Sequence, residues 1–296
     1  MSPFTRKSPE TGTMEHNRTV DMLRRAQAYG YAVGAYNCYN DDGVMAVIRA
    51  AEASKSPAII QLFPWTLNFQ GPHFIRWVVE YAHSASVPIA VHLDHCIEPE
   101  DVRRALELPF DSIMIDASRL DPEANIAECA RIVEEANARG IAIEAELGRI
   151  EGGEDGLPLT DLESILTNPG FAREFVDRTG VQLLAPSFGN IHGSYGPLGP
   201  KAYWRLDVLK DLNENIPSIP LVLHGTTAVS DVLFRETIKR GVHKINLNRT
   251  VRDDYSRFVA ANAGKLELTA LKEQAVEVHA KSIERLMDVL GSSGRA

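Results

Sequence analysis

SIMIDASRLDPEANIAECARIVEEANARGIAIEAEL, residues 112–147, holds one complete repeat of the chain's architecture. A short apolar run (112–117) leads into an amphipathic stretch that ends at Gly140, and a second apolar run (141–147) follows at once. Glycine is a good residue for closing a helix, because it takes the left-handed backbone that ends one. The two runs are continuous in Ile, Ala and Leu rather than alternating. That pattern marks strands buried on both faces of a parallel sheet.

Working outward, the same unit recurs in both directions. Further β-rich runs are VGAYN (33–37), AIIQLF (58–63), IAVHLD (89–94), QLLAPSF (182–188), PLVLHG (220–225) and KINLN (244–248). Between them lie amphipathic stretches such as DDGVMAVIRAAEAS, PHFIRWVVEYAHSA and EDVRRALEL, and then REFVDRTG and VLFRETIKRG, each closed by Gly. Eight β-then-α units predict an α/β fold of the (β/α)8 TIM-barrel type. An open doubly wound sheet would usually carry GxGxxG after its first strand, and none is present. One extra C-terminal helix is expected from about Leu266 to Leu290. Residues 1–18 read as a disordered tail and 19–296 as a single barrel domain, with GSSGRA a frayed end.

The 296 residues, 44% hydrophobic and 24% charged, have ordinary globular composition. Lys and Arg number 31 against 40 Asp and Glu, a net charge of −9. That balance argues against a nucleic-acid surface, though a pocket can still be locally positive. Cys38, Cys96 and Cys129 form no disulfide framework. No apolar run approaches the ~18 residues of a membrane span, and MSPFTRKSPETGTMEHNRT lacks the apolar core of a signal peptide. A cytoplasmic protein is expected.

In such a barrel the active site forms where the strands end. Asn37, Asp94, His95, Asp116, Glu146, His192, His224, Asn246 and Asn248 end strands or follow them. Three histidines on one rim suit a catalytic metal with one position left open, although any one of them could be satisfied by a carbonyl. Asp94, beside His95, is placed to act as a base on carbon next to a polarised carbonyl. Asp116 and Glu146 either hold the metal in an alternative position or orient the histidines. EGGEDG (151–156) reads as a flap carrying a carboxylate. HGSYG (192–196), HGTTA (224–228) and INLNR (245–249) read as anion cradles. His16 is assigned to the tail, and His73, His83 and His279 to helix surfaces. His92 is read as support for the site and His243 as structural.

The ordered set HLDH (92–95), MIDAS (114–118), EAELG (144–148), GNIHGSYG (189–196), LVLHG (221–225) and KIN (244–246) resembles the metal-dependent class II ketose-bisphosphate aldolases. That family includes fructose- and tagatose-bisphosphate aldolases. The resemblance implies that His95, His192 and His224 bind Zn2+, with Co2+ or Mn2+ as substitutes and a monovalent cation as a further expectation. It implies proton transfer by Asp94, donor-carbon exchange by flap residue Glu154, and a resting metal position at Asp116 and Glu146. Gly193, Gly225 and Thr227 match phosphate contacts, and Asn246 matches a substrate-hydroxyl contact. Asn37 matches a strand-one motif. The implied reaction is reversible cleavage of a sugar phosphate, fructose 1,6-bisphosphate foremost, through a metal-stabilised enediolate, in a homodimer or homotetramer. No nucleic-acid or membrane partner is expected.

The chain also departs from the pattern. LHGTTA replaces the usual LHGGSG or LHGASG. KINLNRT places Asn248 and Arg249 where an Asp-Thr or Ala-Thr pair contacts substrate. Gly196 replaces a lysine, and no DPR-like arginine stands near Gly264–Leu271. Recognition of a second phosphate is therefore in question, and an aldolase with a singly phosphorylated or unphosphorylated acceptor is the alternative. A metal-dependent hydrolase would carry HxH on strand one, where this chain reads AYNCYN. A non-catalytic sugar-phosphate binder should have lost Asp94, a histidine or Glu154, and all are kept.

Overall fold

The computed structural model describes residues 14–150 and 165–296. Eight parallel strands close in chain order into one barrel. They are β1 (Val33–Asn37), β2 (Ala58–Leu62), β3 (Ile89–Cys96), β4 (Ser112–Ile115), β5 (Ala142–Leu147), β6 (Leu183–Pro186), β7 (Leu221–Leu223) and β8 (Val242–Leu247). Each coincides with an expected run to within two or three residues. Around them lie α1 (Arg18–Tyr29), α2 (Asp41–Ser54), α3 (Pro64–Phe69), α4 (Gly71–Ser84), α5 (Pro99–Leu106) and α6 (Pro122–Asn137). The ring continues with α7 (Pro169–Thr179), α8 (Leu206–Asn215), α9 (Asp231–Ile238), α10 (Arg249–Asn262) and the additional C-terminal α11 (Leu268–Leu290).

The opening unit shows why these residues form these elements. The Asp121 side chain accepts the Ala124 N–H at 3.1 Å, capping α6, and Pro122 fits its first turn. Gly140 takes a φ of +74°, the left-handed turn expected before β5. Outward-facing Ile113, Ile143 and Ala145 then join the helices' apolar faces in one large core.

Inside the barrel, side chains two apart along a strand share a face. Val33, Ala35, Ile59, Ala90, Met114, Ala142, Leu183, Ala185 and Val222 form an inner apolar cluster, closed by Val20, Met22, Leu23 and Ala26 of α1. One step further along the strands stand Asn37, Gln61, His92, Glu144, His224 and Asn246, all buried. The interior thus changes from apolar to polar toward the strands' C-terminal ends.

Three expectations need correction. GSSGRA is not frayed: Ser292 is buried with its hydroxyl 2.8 Å from that of Ser56, and the Gly294 and Ala296 N–H groups donate to the Ser54 and Lys55 carbonyls at 2.9 Å. The folded body starts before residue 19: Met14–His16 form a short 3-10 turn and α1 begins at Arg18. Asn17 caps α1 through its side-chain oxygen and donates its amide to the Asp111 and Gly140 carbonyls at 2.7 and 2.8 Å. Residues 1–13 lie outside the described part. His279 is not on a helix surface. It is 4% exposed, with its ring 5.3 Å from that of Tyr255, because α11 packs against both α2 and α10. Of the other two assigned to surfaces, His73 is exposed, whereas His83 is half-buried with Nε2 2.9 Å from the Asp111 carboxylate. Among the described residues no helix is long and apolar enough to cross a membrane.

Neither ring nitrogen of His279 has a hydrogen-bond partner among the described residues. Burial pushes its pKa down to about 4 from 6.5. The unfolded chain therefore binds the extra proton first, so stability is full above pH 6.5 and is lost as pH falls toward 4. The difference amounts to about 3 kcal/mol at most. His279→Gln should flatten the urea midpoint between pH 6.5 and 4 relative to the parent. Parallel curves for the two proteins would refute this.

Candidate active site

β3 supplies two adjacent functional groups, which a regular strand would point to opposite faces. The pairing with β4 shifts between Leu93 and Cys96, and His95 adopts a φ of +42°. This irregularity re-aims the chain, so Asp94 and His95 line the same cavity. His192 comes from the loop after β6 and His224 from the end of β7. The three rings lie 4.8 to 5.8 Å apart, centroid to centroid. His95 Nε2 and His224 Nδ1 face each other at 3.1 Å.

The second nitrogen of His95 and that of His224 are committed elsewhere. His95 Nδ1 lies 3.1 Å from Asp116, whose Oδ1 accepts from the Ser118 hydroxyl at 2.7 Å. His224 Nε2 lies 2.9 Å from Glu144 Oε1 and must donate to it, because a carboxylate only accepts. The lone pair at Nδ1 is then left toward His95. His192 Nε2 is buried without a hydrogen-bond partner. Burial, and then the charge on His95, push the His192 pKa down to about 3, leaving the neutral imidazole that a metal requires.

A tetrahedral zinc with ~2.0–2.1 Å bonds to nitrogen needs such converging nitrogens, so the donor set fits that ion. His95, Asp116 and Glu146 form a second possible metal-holding group that shares His95. Glu146 Oε1 accepts the Ile150 N–H at 2.9 Å, while Oε2 is buried and unpaired. Burial and the nearby Asp116 raise the Glu146 carboxyl to about 8.

Asp94 is 7% exposed and held from two sides. Gln61 Nε2 donates to its Oδ2 at 2.8 Å and Asn246 Nδ2 to its Oδ1 at 3.2 Å. Burial alone would raise this carboxyl, but positive charge on His95 and, further off, on Lys244 opposes it, and the group is held low. Asp94 is therefore an anion poised beside the histidines.

The cavity, about 750 Å3, is lined by Asn37, Asp94, His95, His192, Gly193, Gly225, Thr227, Asn246, Asn248 and Arg249 among others. Asp116 and Glu146 lie behind His95 and not on its wall. A Cβ on Gly225 would fall 2.2 Å from the Ile191 carbonyl oxygen, so only glycine fits this close approach. Thr226 is turned inward, donating to the Asn246 carbonyl at 2.6 Å. Arg249 is the first residue of α10, largely exposed and 3.8 Å from Asp253. Glu154 and the rest of EGGEDG lie outside the described residues.

Several participants were not singled out in the sequence. Gln61 holds both Asp94 and Asn37. Tyr195 accepts the Ile191 N–H and donates to the Gly225 carbonyl at 2.6 Å, tying two cradles together. Glu144 and Lys244, buried inside the barrel 2.7 Å apart, support His224 and Asn246. Alternation along β5 and β8 is the signal that could have found them, since Glu144 shares a face with Glu146 and Lys244 with Asn246.

Comparison with known proteins adds an independent line. Residues 17–295 match the family described as fructose-bisphosphate aldolase class II. A Coccidioides immitis protein provisionally named fructose-bisphosphate aldolase is 41% identical over 294 residues, covering 96% of each chain. Fructose-bisphosphate aldolase of Thermus caldophilus is 35% identical, covering 94% of this chain and 98% of its own. The crystal structure of the YdjI aldolase from Escherichia coli K12 superposes with a TM-score of 0.83 at 30% identity, over 94% of this chain and 98% of that one.

Removing one member of a buried ion pair strands the other, at a cost of about 3–5 kcal/mol, whereas replacing both with apolar groups is often neutral. Glu144→Leu should therefore destabilise the protein by that order in chemical denaturation. Glu144→Leu combined with Lys244→Met should recover part of the loss, the remainder being the hydrogen bonds that His224 and Asn246 no longer make. Equal destabilisation in the single and double variants would show that the pair is not coupled.

Proposed function

This chain belongs to the class II fructose-bisphosphate aldolase family, and from that premise we propose that it is a zinc-dependent aldolase acting on a ketose phosphate or bisphosphate. It would cleave fructose 1,6-bisphosphate, or a ketose phosphate built on a different acceptor aldehyde, reversibly to dihydroxyacetone phosphate and that aldehyde. The observation that carries this is the convergence of His95, His192 and His224 beside an Asp94 held as an anion. Zinc bound by those three histidines would supply Lewis acidity toward the donor's carbonyl and hydroxyl oxygens.

The chain's own residues then divide the work. Asp94 removes the substrate hydroxyl proton in cleavage and returns it to the aldehyde oxygen in condensation. Gln61 and Asn246 fix both of its oxygens for that transfer. Glu154 is proposed to move the donor-carbon proton. The N–H groups of Gly193 and Gly225 and the Thr227 hydroxyl would hold the donor phosphate. Asn37, Asn246 and Asn248 would contact substrate hydroxyls, with Arg249 at the outer edge. Asp116 and Glu146 would hold the metal in a second, buried position. A cytoplasmic setting and a homodimeric or homotetrameric assembly belong to the same reading, on the family's account.

Each of His95→Ala, His192→Ala and His224→Ala should abolish cleavage and lower bound zinc below one per chain, as read by elemental analysis. Chelation should remove activity and added zinc restore it. Undiminished activity after exhaustive chelation would overturn the reading.

Asp94→Asn should keep its zinc yet lose cleavage by roughly 10²–10⁴-fold, the usual scale of general acid–base catalysis. Glu154→Gln should mainly slow hydrogen exchange at the donor carbon. Loss of metal in both variants would recast the two carboxylates as ligands.

A further inference from the structure

The cavity rim from β8 round to β2 is unlike the remainder of its wall. α3 starts directly after β2 and brings Phe63, Pro64 and Trp65 onto the cavity. The Phe63 and Trp65 rings stack at 5.8 Å and 20°, and Trp65 stacks on Phe69 at 4.8 Å and 14°. Tyr39 meets Phe63 edge-on at 5.3 Å. Trp65 is nevertheless 43% exposed. Facing this shelf, α10 lines the same cavity with Arg249, Arg252, Asp253 and Ser256, and the Asp253 carboxylate lies 3.8 Å from Arg249 rather than against Arg252. The Arg252 guanidinium sits 5.1 Å over the Tyr39 ring and has no carboxylate partner among the described residues.

An aromatic shelf left in water inside a cavity loses the hydrophobic free energy that burial would return. A flat apolar ligand recovers it, and a polyhydroxylated triose phosphate does not. The adjacent guanidinium offers a planar fork of donors for an acidic group. Strand order also matters here. The shelf follows β2, next to Asp94 on β3, and lies away from Gly193 and Gly225, which follow β6 and β7. It therefore borders the half of the site where the aldehyde oxygen would receive its proton.

We propose that the acceptor for this site is an aldehyde with a planar apolar body and an acidic group, the body resting on Phe63 and Trp65 and the acid on Arg252. The inference rests on the aldolase reading above and names its acceptor class. In condensation the donor loses a proton from the carbon beside its carbonyl. That carbon then bonds to the aldehyde carbon, and the aldehyde oxygen gains a proton. No oxidant or further reactant is needed.

The test offers dihydroxyacetone phosphate to the zinc-loaded full chain with 4-carboxybenzaldehyde, benzaldehyde or glyceraldehyde 3-phosphate. We expect kcat/KM for 4-carboxybenzaldehyde to exceed both others at least tenfold. Trp65→Ala should lower that value at least tenfold more than it lowers the value for glyceraldehyde 3-phosphate, and Trp65→Phe should restore most of the preference. Arg252→Gln should erase the advantage of 4-carboxybenzaldehyde over benzaldehyde, with Arg252→Lys retaining part of it. Donor-carbon hydrogen exchange, measured without any aldehyde, separates the two levels. Absence of exchange would overturn the aldolase reading itself. Exchange combined with a preference for glyceraldehyde 3-phosphate would overturn the acceptor class alone.

Discussion

Glu144 stands inside the barrel with no exposed surface and both carboxylate oxygens engaged, one by Lys244 at 2.7 Å and one by His224 at 2.9 Å. Burial alone would drive this carboxyl to its neutral form. The Lys244 charge and the His224 hydrogen bond overcome that and hold it well below the usual carboxylate range. In a dry interior such a charge is tolerated only when it is fully paired, and the pairing has consequences above it. His224 must donate through Nε2, so Nδ1 is left toward His95. Lys244 also donates to Asn246 Oδ1, which turns the Asn246 amide nitrogen toward Asp94. One buried ion pair thereby sets the direction of a candidate metal ligand and of one donor to the candidate base.

Most of the barrel was legible in the sequence because a parallel sheet covered on both faces leaves a plain record. The run 112–117, the helix closed near Gly140 and the run 141–147 formed the unit expected of them. The rim histidines were legible for a related reason. A residue that ends a buried apolar run in a closed barrel has only the mouth to face, so strand ends convert directly into site candidates. Asn37, Asp94, His95, His192 and Asn246 line one cavity, and His224 lies buried just behind that wall with its ring 4.9 Å from that of His95.

What escaped the sequence reading depends on contacts between elements distant in the chain. Glu144 and Lys244 look like ordinary charged residues until β5 and β8 are placed across one interior, and then each explains the other. Gln61 reads as one polar position in AIIQLF, yet it holds both Asp94 and Asn37. His279 was misplaced because a helix covered on two sides, by α2 and α10, presents a wider buried face than a surface helix does. The irregularity in β3 left no mark in HLDH. Strict alternation would have separated Asp94 from His95, and only the shift of pairing with β4 brings them to one side.

The arrangement also separates a buried inner layer from an outer rim in a physical sense. Glu144, Lys244, His224, Asn246 and Asp94 form one connected network on strand interiors, where a change at one member leaves another buried group unpaired. Phe63 and Trp65 lead into α3, and Arg249 and Arg252 stand on α10. Their ring, cation–π and ion-pair contacts are with one another, with Tyr39 and Phe69 and with Asp253. Replacing them disturbs partly exposed packing and solvated charge, which costs little beside a broken buried pair. The rim can therefore change its ligand chemistry while the interior stays fixed. The departures from the family pattern at Asn248 and Arg249 fall on this outer layer, whereas HLDH, EAELG and KIN supply the inner one.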